Sequence, residues 1–259
     1  MDIKQQYNKL QKNRKTVKFK NISYDEYTNN YINKTQPKLA IIVPFREEQN
    51  TKVRITHLKQ FVKHMNIFFN KKNIQYGIFV IHQPSYSKRF NRGKLLNIGY
   101  KVAKKYNIIV THDVDMLPDD YLLNFYLHIP KYPVHIAYPG SAVQYTYDKY
   151  FGGINIYSRK HYKQLNGFPN DFWGWGGEDD ALYDRVAINN LIIIRPIHGK
   201  ITVLSHRNLK DDKQQTNLYK WENRINNIKT WKTNGLKDLS YKIIKKQNKS
   251  NLYIYTVDI

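Results

Sequence analysis

The first half of the chain alternates short, continuous apolar runs with longer segments of helical periodicity. The runs 39–45 (LAIIVPF), 76–82 (YGIFVIH) and 108–111 (IIVT) are typical of strands that are buried on both faces of a parallel sheet. Between them, segments 53–69 and 94–106 carry apolar residues at three- and four-residue spacing, which predicts amphipathic helices. The order strand, helix, strand, helix, strand predicts an α/β fold that begins with a Rossmann-like central sheet.

The second half of the chain has shorter and less regular elements. Segments 151–158, 191–195 and 201–204 are predicted strands, and segments 159–165 and 178–190 are predicted helices. There is no internal repeat and no convincing linker. We therefore expect one domain.

The first 38 residues are polar and basic and lack a strong hydrophobic period. We predict that residues 1–38 form a basic polar tail or a peripheral wrap. Residues 39–259 then form a single domain with flanking helices on a central sheet.

The composition adds a strong positive charge to this picture. The chain has 43 Lys and Arg against 20 Asp and Glu, a formal net charge of +23. Such a charge attracts anionic substrates or polyanions, but a solvated basic surface explains it equally well, and we do not expect nucleic acid as a partner. The chain has no cysteine, which fits a reducing compartment. With no long apolar run and no signal-peptide core, we expect a soluble, intracellular, cytoplasmic protein without a membrane span.

Three candidate ligand-binding groups lie at the ends of predicted strands, at the edge where α/β sheets bind ligands. These groups are 44–46 (PFR), 83–84 (QP) and 113–115 (DVD). Two carboxylates near one point suit Mg²⁺ or Mn²⁺, and a diphosphate can complete the coordination shell. His206, at the end of a later predicted strand, could add a nitrogen ligand and favour Mn²⁺, although a lone histidine is more often a surface residue.

The segment 173–177 (WGWGG) cannot be the interior of a regular helix or strand, because glycine at alternate positions makes the backbone costly to order. It suits a hinge that moves an indole over a ligand. Three acids follow at 178–180, at the start of a predicted helix. They either stabilise the positive end of the helix dipole or, beside the indoles, bind a sugar hydroxyl.

Six motifs together resemble one family. They are VPFRE (43–47), RFNRGKLLNIGY (89–100), HDVDMLP (112–118), YFGGINIYS (150–158), NGFPNDFWGWGGEDD (166–180) and RP (195–196). In this order they resemble the β-1,4-galactosyltransferase family, which consists of metal-dependent inverting glycosyltransferases with the GT-A fold. The resemblance covers about residues 39–259.

The resemblance implies a role for each matching residue. A UDP-sugar donor would contact Pro44, Phe45, Arg46, Phe90, Arg92, Asp113, Val114, Tyr147, Tyr150 and Trp175. The acceptor would contact Gly177, Glu178, Asp179 and Asp180. The catalytic group would be Asp179 as the base, with Glu178 beside it and Trp175 as a mobile lid. Mn²⁺ would be the cofactor, with Asp115 and His206 as ligands.

This resemblance predicts transfer of galactose from UDP-galactose to a glycan or glycoprotein, through a β-1,4 linkage to N-acetylglucosamine or xylose. The alternatives are another UDP-sugar, such as that of N-acetylgalactosamine or glucose, and an inactive basic relative that binds carbohydrate or nucleic acid. Val203 stands where many members have a metal-binding Met, which leaves the metal preference open. Within the family, Gly177 resembles the branch that acts on N-acetylglucosamine, whereas VPFRE and HDVD resemble the xylose-acceptor branch.

Overall fold

The computed structural model describes residues 2–12, 16–33, 35–47, 51–72, 74–84, 88–142, 147–205 and 215–259. The helices in these ranges are α1 (Ile3–Lys12), α2 (Tyr24–Asn30), α3 (Val53–Asn70), α4 (Arg92–Val102), α5 (Asp120–Tyr126), α6 (Arg159–Gln164), α7 (Glu178–Ile188) and α8 (Lys220–Thr230). The strands are β1 (Phe19–Ile22), β2 (Ile32–Asn33), β3 (Lys38–Phe45), β4 (Gln75–His82), β5 (Ile108–His112), β6 (Met116–Pro118), β7 (Ile129–Pro130), β8 (Val134–His135), β9 (Ile154–Ser158), β10 (Ile193–Pro196), β11 (Ile201–Val203), β12 (Lys242–Lys249) and β13 (Leu252–Asp258).

A mixed, mostly parallel sheet forms the centre of the fold. Its nine described strands have the order β1-β10-β8-β9-β5-β3-β4-β13-β12. Strands β5, β3 and β4 are parallel neighbours, whereas β9 runs antiparallel to both β5 and β8. The carboxyl ends of β3, β4 and β5 therefore meet at one edge of the sheet, as the sequence predicts.

Strand β3 is buried on both faces, which explains its continuous apolar sequence. Leu39, Ile41 and Val43 belong to one hydrophobic cluster, shared with α3 and α5. Ala40 and Ile42 point the other way into a second cluster, shared with α4, α6 and α7. Side chains alternate along a strand, so helices on both sides require apolar residues at every position.

The N-terminal segment was predicted to be a tail or a peripheral wrap, and its described residues pack at the edge of the fold and do not form a free tail. Strand β1 is the edge strand of the central sheet and pairs in parallel with β10. Ile22 is 1% exposed, and Tyr27 of α2 is fully buried. The sequence FKNI of β1 neither alternates nor forms an apolar run, because this edge strand buries only its last residue.

The C-terminal hairpin was also missing from the sequence prediction. Strand β13 extends the sheet by pairing in parallel with β4, and β12 pairs with β13 as the outer edge. Strand β12 is almost entirely exposed and rich in lysine. Lysine on an open edge opposes pairing with other chains. Because of these lysines, the sequence of β12 lacks the apolar pattern by which a strand is predicted.

The other predicted elements are present with shifted ends. The helix predicted over 94–106 covers Arg92–Val102, and the strand predicted over 151–158 begins only at Ile154. Gly153 precedes that strand with φ of +70°, a left-handed conformation that does not continue a strand. Among the helices of the described ranges, none is both long and apolar enough to cross a membrane.

Ile22→Ala tests whether the N-terminal strand belongs to the domain. We expect it to lower the free energy of unfolding by about 2–5 kcal/mol, because it deletes a buried side chain from a packed core. Urea denaturation followed by tryptophan fluorescence measures this change. The matched control is Ile67→Ala, at a position that is 55% exposed on α3, which should change stability far less. Equal, small effects of both substitutions would mean that β1 is dispensable.

Candidate active site

The polar groups of the predicted site gather around the start of α4, at the carboxyl edge of the parallel strands. Asn91 caps this helix by accepting a hydrogen bond from Lys94 N at 2.9 Å. The main-chain N–H of Asn91 donates to Gln83 Oε1 at 3.1 Å, which ties the start of α4 to the end of β4. Arg92, the first residue of α4, is thereby fixed over the end of the sheet.

Arg92 contacts three carboxylates from two other segments of the chain. Its Nε donates to Asp113 Oδ1 at 2.8 Å, and its Nη1 donates to Asp179 Oδ1 at 2.7 Å. Nη1 also lies 3.6 Å from Glu178 Oε1. The Arg92 side chain is 12% exposed, and those of the acids are 11% to 28% exposed. Partial exclusion of water strengthens these attractions, so the guanidinium allows three acids to lie close together.

Burial and charge act in opposite directions on these acids. Burial raises the pKa of Asp113, Glu178 and Asp179, and the positive charge of Arg92 opposes the rise in each case. The pKa of Asp179 lies well above its ordinary value, although 23% of its side chain remains exposed to moderating solvent. A carboxylate with a raised pKa accepts a proton more strongly. Asp179 is therefore suited to remove a proton from a hydroxyl group.

Gly152 forms the opposite wall around Asp179, and Gly153 follows it beside Arg92. A β-carbon at position 152 would lie 2.4 Å from Asp179 Oδ2 and 2.7 Å from Tyr150 Cε2. Both distances are too short for any side chain, so Gly152 lets the carboxylate approach the main chain. The carbonyl oxygen of Gly153 accepts a hydrogen bond from Arg92 Nη2 at 3.5 Å. Steric crowding at this site thus explains the first glycine of the YFGG motif.

Asp115 is paired with an arginine that the sequence reasoning did not identify. Arg54 Nη1 lies 2.9 Å from Asp115 Oδ2, and both side chains are largely buried. Glu47 orients this arginine, because its carboxylate accepts hydrogen bonds from the main-chain N–H groups of Arg54 and Ile55 at 2.9 and 2.7 Å. The sequence signal that could have identified Arg54 is a basic residue in the first turn of the helix that follows β3.

One of the two predicted metal ligands, Asp115, lies within the described residues. Asp115 offers a hard oxygen ligand, and Leu204 N donates to Asp115 O at 2.8 Å, so the end of β11 runs beside it. His206 comes two residues after Leu204 but lies outside the described residues. Val203 packs against the first hydrophobic cluster and has no ligand atom. Within the described ranges, no group of three or more His, Asp or Glu side chains could hold a metal ion. The chemistry of Asp115 fits Mn²⁺, and the full ligand set remains a prediction.

The glycine-rich segment 173–177 is irregular, as predicted. Three of its glycines have φ between +92° and +106°. Trp175 N donates to Gln215 O at 2.6 Å, and Asn217 N donates to Trp175 O at 3.0 Å. Trp175 is therefore bonded through its main chain to a segment just before α8. Its movement as a hinge stays a prediction.

The predicted donor-binding residues of β3 and of the approach to α4 lie together. Pro44 and Phe45 end β3 and are buried, with the Phe45 ring packed edge-on against His82 at 5.6 Å. The Arg46 guanidinium lies 5.3 Å from the centre of the Phe90 ring. This pairing supplies a cation and an aromatic face at the carboxyl edge of the sheet.

Two further predicted donor contacts, Tyr150 and Val114, are also buried side chains. Tyr150 is 5% exposed, whereas its neighbour Tyr147 is 49% exposed, and their rings meet edge to face at 5.6 Å. Val114 is 6% exposed, and its side chain belongs to the first hydrophobic cluster. A donor would therefore meet Val114 through its main chain.

The three acids at the start of α7 do not share one environment. Gly177 caps the helix with φ of +96°, and Glu178 and Asp179 face Arg92. Asp180 instead pairs with α8, since its Oδ2 lies 3.3 Å from Arg224 Nη1. The Asp180 carboxylate is therefore paired away from Arg92, unlike those of the other two acids.

The loop that leads to the acids is anchored to α4. Asn97 bonds the loop twice, through Phe168 O at 2.7 Å and Phe168 N at 2.9 Å. Arg185 of α7 is fully buried and donates to Gly167 O at 2.8 Å and to Asn234 O at 2.7 Å. These bonds hold α4 and α7 together, which keeps Arg92 within reach of the acids.

Comparisons with known proteins agree with this arrangement. A family model described as "N-terminal region of glycosyl transferase group 7" matches residues 1–127, and one described as "N-terminal domain of galactosyltransferase" matches residues 132–207. Beta-1,4-galactosyltransferase 4 of Homo sapiens is 36% identical over 234 residues, which cover 87% of this chain and 64% of that protein. Beta-1,4-galactosyltransferase 1 of Bos taurus is 35% identical, with 86% and 54% covered. The chain thus spans less than two thirds of these relatives.

Two solved structures of one Drosophila protein are similar along most of their length. The catalytic domain of Drosophila beta1,4galactosyltransferase 7 with xylobiose has a TM-score of 0.70 and 32% identity, covering 85% of this chain and 93% of that one. A mutant of that protein in complex with manganese, UDP-Gal and xylobiose has a TM-score of 0.69, with the same identity and coverage. The central sheet and flanking helices are thus those of a GT-A catalytic domain.

Arg92→Gln tests whether one guanidinium holds the acids together. Without it, the pKa values of Asp113, Glu178 and Asp179 should rise further, because Arg92 lowers each of them. An acid with a raised pKa in the folded state stabilises the fold at low pH and loses that contribution as the pH rises through this pKa. We therefore expect the loss of stability to grow from pH 4.5 to pH 7.5, reaching about 3–5 kcal/mol.

Urea denaturation at both pH values measures this loss. Lys71→Gln is the control, because its ion pair with Asp120 is exposed and should contribute little at either pH. A loss for Arg92→Gln that is the same at both pH values would contradict the role of the acids.

Proposed function

The chain belongs to the β-1,4-galactosyltransferase family, and from this we propose that it transfers galactose from UDP-galactose to a sugar hydroxyl, with inversion at the anomeric carbon. The observation that carries the proposal is the cluster of Arg92, Asp113, Glu178 and Asp179 at the carboxyl edge of the sheet. This edge is where α/β sheets bind nucleotides. The cluster combines a phosphate-binding cation with carboxylates that bind hydroxyl groups.

Asp179 is the proposed general base. An inverting transfer in one step needs a carboxylate that removes the acceptor proton as the hydroxyl oxygen attacks the anomeric carbon. Asp179 has a raised pKa and is held on two sides, by Arg92 and by the Gly152 main chain. Glu178 lies next to it on the same guanidinium and is the proposed partner for an acceptor hydroxyl.

Three arginines are the proposed cationic contacts of the donor diphosphate. Arg46 follows β3, Arg54 lies in the first turn of α3, and Arg92 begins α4, so all three lie near the carboxyl edge of the sheet. Guanidinium groups bind phosphate oxygens through paired, charge-assisted hydrogen bonds. Because Arg92 also contacts Asp113 and Asp179, donor binding and base position are linked through one side chain.

Asp115 and His206 are the proposed ligands of Mn²⁺. When bound, the cation would offset the negative charge that builds on the departing diphosphate. Arg54, paired with Asp115, is a second positive charge beside the same carboxylate. The chain therefore provides cationic stabilisation at this point in addition to the metal.

Trp175 is the proposed lid. Closure over the bound donor would exclude water, which would otherwise accept the galactosyl group. The positive φ angles of the surrounding glycines support this role, because glycine interconverts between left- and right-handed conformations at low cost.

Galactose is the proposed donor sugar because of Tyr150. Its buried phenol fills volume that a 2-N-acetyl group would need, so UDP-N-acetylgalactosamine should be the poorer donor. The proposed acceptor is N-acetylglucosamine or xylose at the end of a glycan or glycoprotein. Transfer of another UDP-linked sugar is the second candidate, since a tyrosine can repack around a different ring.

The direct test is to incubate the protein with Mn²⁺, one of three UDP-sugars (galactose, N-acetylgalactosamine or glucose) and glycosides of N-acetylglucosamine or xylose. We expect UDP release from UDP-galactose that depends on the acceptor, and a β-1,4-linked product by NMR. Faster UDP release from another UDP-sugar would show that galactose is not the preferred donor sugar. If the protein binds UDP but forms no product with any pair of donor and acceptor, it is instead a carbohydrate-binding relative without turnover.

Asp179→Asn should lower the turnover number by about 10²–10⁴-fold, because the amide keeps the shape but cannot accept a proton. The affinity for UDP-galactose, measured by calorimetry, should change little. Glu178→Gln is the matched control on the same helix turn and should affect mainly the KM of the acceptor. If Asp179→Asn stays within threefold of the unmodified protein while Glu178→Gln loses turnover, the base is Glu178.

Metal removal should abolish transfer, and Mn²⁺ should restore it. Asp115→Ala should lose Mn²⁺-dependent transfer and weaken Mn²⁺ binding, which electron paramagnetic resonance measures directly. Full activity in excess EDTA would overturn the metal requirement. Asp120→Ala, an exposed acid on α5, is the control and should bind Mn²⁺ as the unmodified protein does.

A further inference from the structure

A buried histidine lies behind Gly152, the glycine beside Asp179. His135 ends β8 and is fully buried. Its Nε2 lies 3.1 Å from Gly152 O, and its Nδ1 lies 3.3 Å from Arg195 Nε. The imidazole therefore connects a buried guanidinium to the main chain beside the proposed base.

The two contacts define which nitrogen of His135 carries the proton. Arg195 Nε has a hydrogen and no lone pair, so His135 Nδ1 must accept. Gly152 O is an acceptor, so His135 Nε2 must donate. The ring is thus a neutral imidazole with its proton on Nε2. Burial and the neighbouring Arg195 charge lower the pKa of His135 well below its ordinary value, which agrees with a neutral ring.

The loop before Gly152 is held by the same two side chains. Arg195 Nη2 donates to Asp148 O and to Tyr150 O, both at 2.8 Å. Three main-chain carbonyls of this loop, those of 148, 150 and 152, are therefore bound by Arg195 or His135. The Arg195 guanidinium is itself stacked on Phe19 of the N-terminal strand, 3.6 Å from the ring centre.

The loop in turn limits the position of the Asp179 carboxylate. Oδ1 of Asp179 is bonded to Arg92. Oδ2 lies so close to Gly152 that a β-carbon at position 152 would be only 2.4 Å from it. A shift of the Gly152 main chain would therefore change the space available to this carboxylate. Misplacement of a catalytic group by about 1 Å can lower a rate by about 10²-fold.

We propose that His135, as the neutral Nε2–H tautomer held by Arg195, is a positioning residue for the catalytic base. It fixes Gly152 O, and the Gly152 main chain then fixes Asp179. The role rests on the proposed function, because it concerns the base of that reaction. His135 neither contacts the acids that bind Arg92 nor takes part in proton transfer.

Substitutions at His135 separate positioning from simple core packing. His135→Phe keeps a ring of similar size between Tyr150 and Phe151 but removes both hydrogen bonds. His135→Gln keeps an acceptor for Arg195 and a donor for Gly152. We expect the phenylalanine variant to lose about 10²-fold in kcat with the KM for UDP-galactose within about threefold, and the glutamine variant to recover at least tenfold of that loss.

The matched control is His128→Phe, at a partly buried histidine that stacks on Tyr24 away from the site. It should keep kcat within about twofold. A fall of kcat that is equal in the phenylalanine and glutamine variants, or absent in both, would overturn the positioning role.

A measurement without substrate tests the same proposal independently. In protein labelled with ¹⁵N-histidine, long-range ¹H–¹⁵N spectra distinguish the two neutral tautomers and the imidazolium. We expect His135 as the Nε2–H form at pH 6, assigned by its absence in His135→Gln. An Nδ1–H form or an imidazolium would overturn the proposal. If the unmodified protein transfers no sugar, the proposed function is wrong. The spectrum still shows whether His135 donates its Nε2 proton to Gly152 O.

Discussion

One guanidinium, that of Arg92, allows the acids of this site to lie together. Three carboxylates within a few ångströms would repel each other strongly where water is partly excluded. Arg92 contacts all three, and its charge lowers the pKa of each against the opposing effect of burial. The raised pKa of Asp179 that remains after this balance is what makes it a strong proton acceptor.

The rest of the fold can be understood as support for that contact. Strand β5 delivers Asp113, helix α4 delivers Arg92, and helix α7 delivers Glu178 and Asp179. Buried polar side chains, Asn97 and Arg185 among them, bond the connecting loops to the helices. On the far side of the acids, His135 bonds Gly152 O, and Arg195 bonds the carbonyl groups of Asp148 and Tyr150 in the loop before it. The N-terminal strand β1 reaches this second layer through Phe19, which gives the basic N-terminal segment a structural role.

Sequence patterns predicted the central elements well because those elements are buried on both faces. Strand β3 is apolar at almost every position, since hydrophobic clusters lie on both sides of it. The same reasoning failed for the edge strands β1 and β12 and for β13 beside β12, because these strands bury few side chains. Such strands are held by main-chain hydrogen bonds, which leave little trace in the order of apolar and polar residues.

The sequence by itself determined the family, the α/β order of the central elements and the types of residue at the site, because motif residues and buried strands are local features. Only the tertiary structure decided which charges meet. It paired Arg54 with Asp115, turned Asp180 toward Arg224 and placed His135 behind Gly152. These contacts join segments that are far apart along the chain. Their geometry follows from how helices pack on the sheet, and no local pattern encodes that packing.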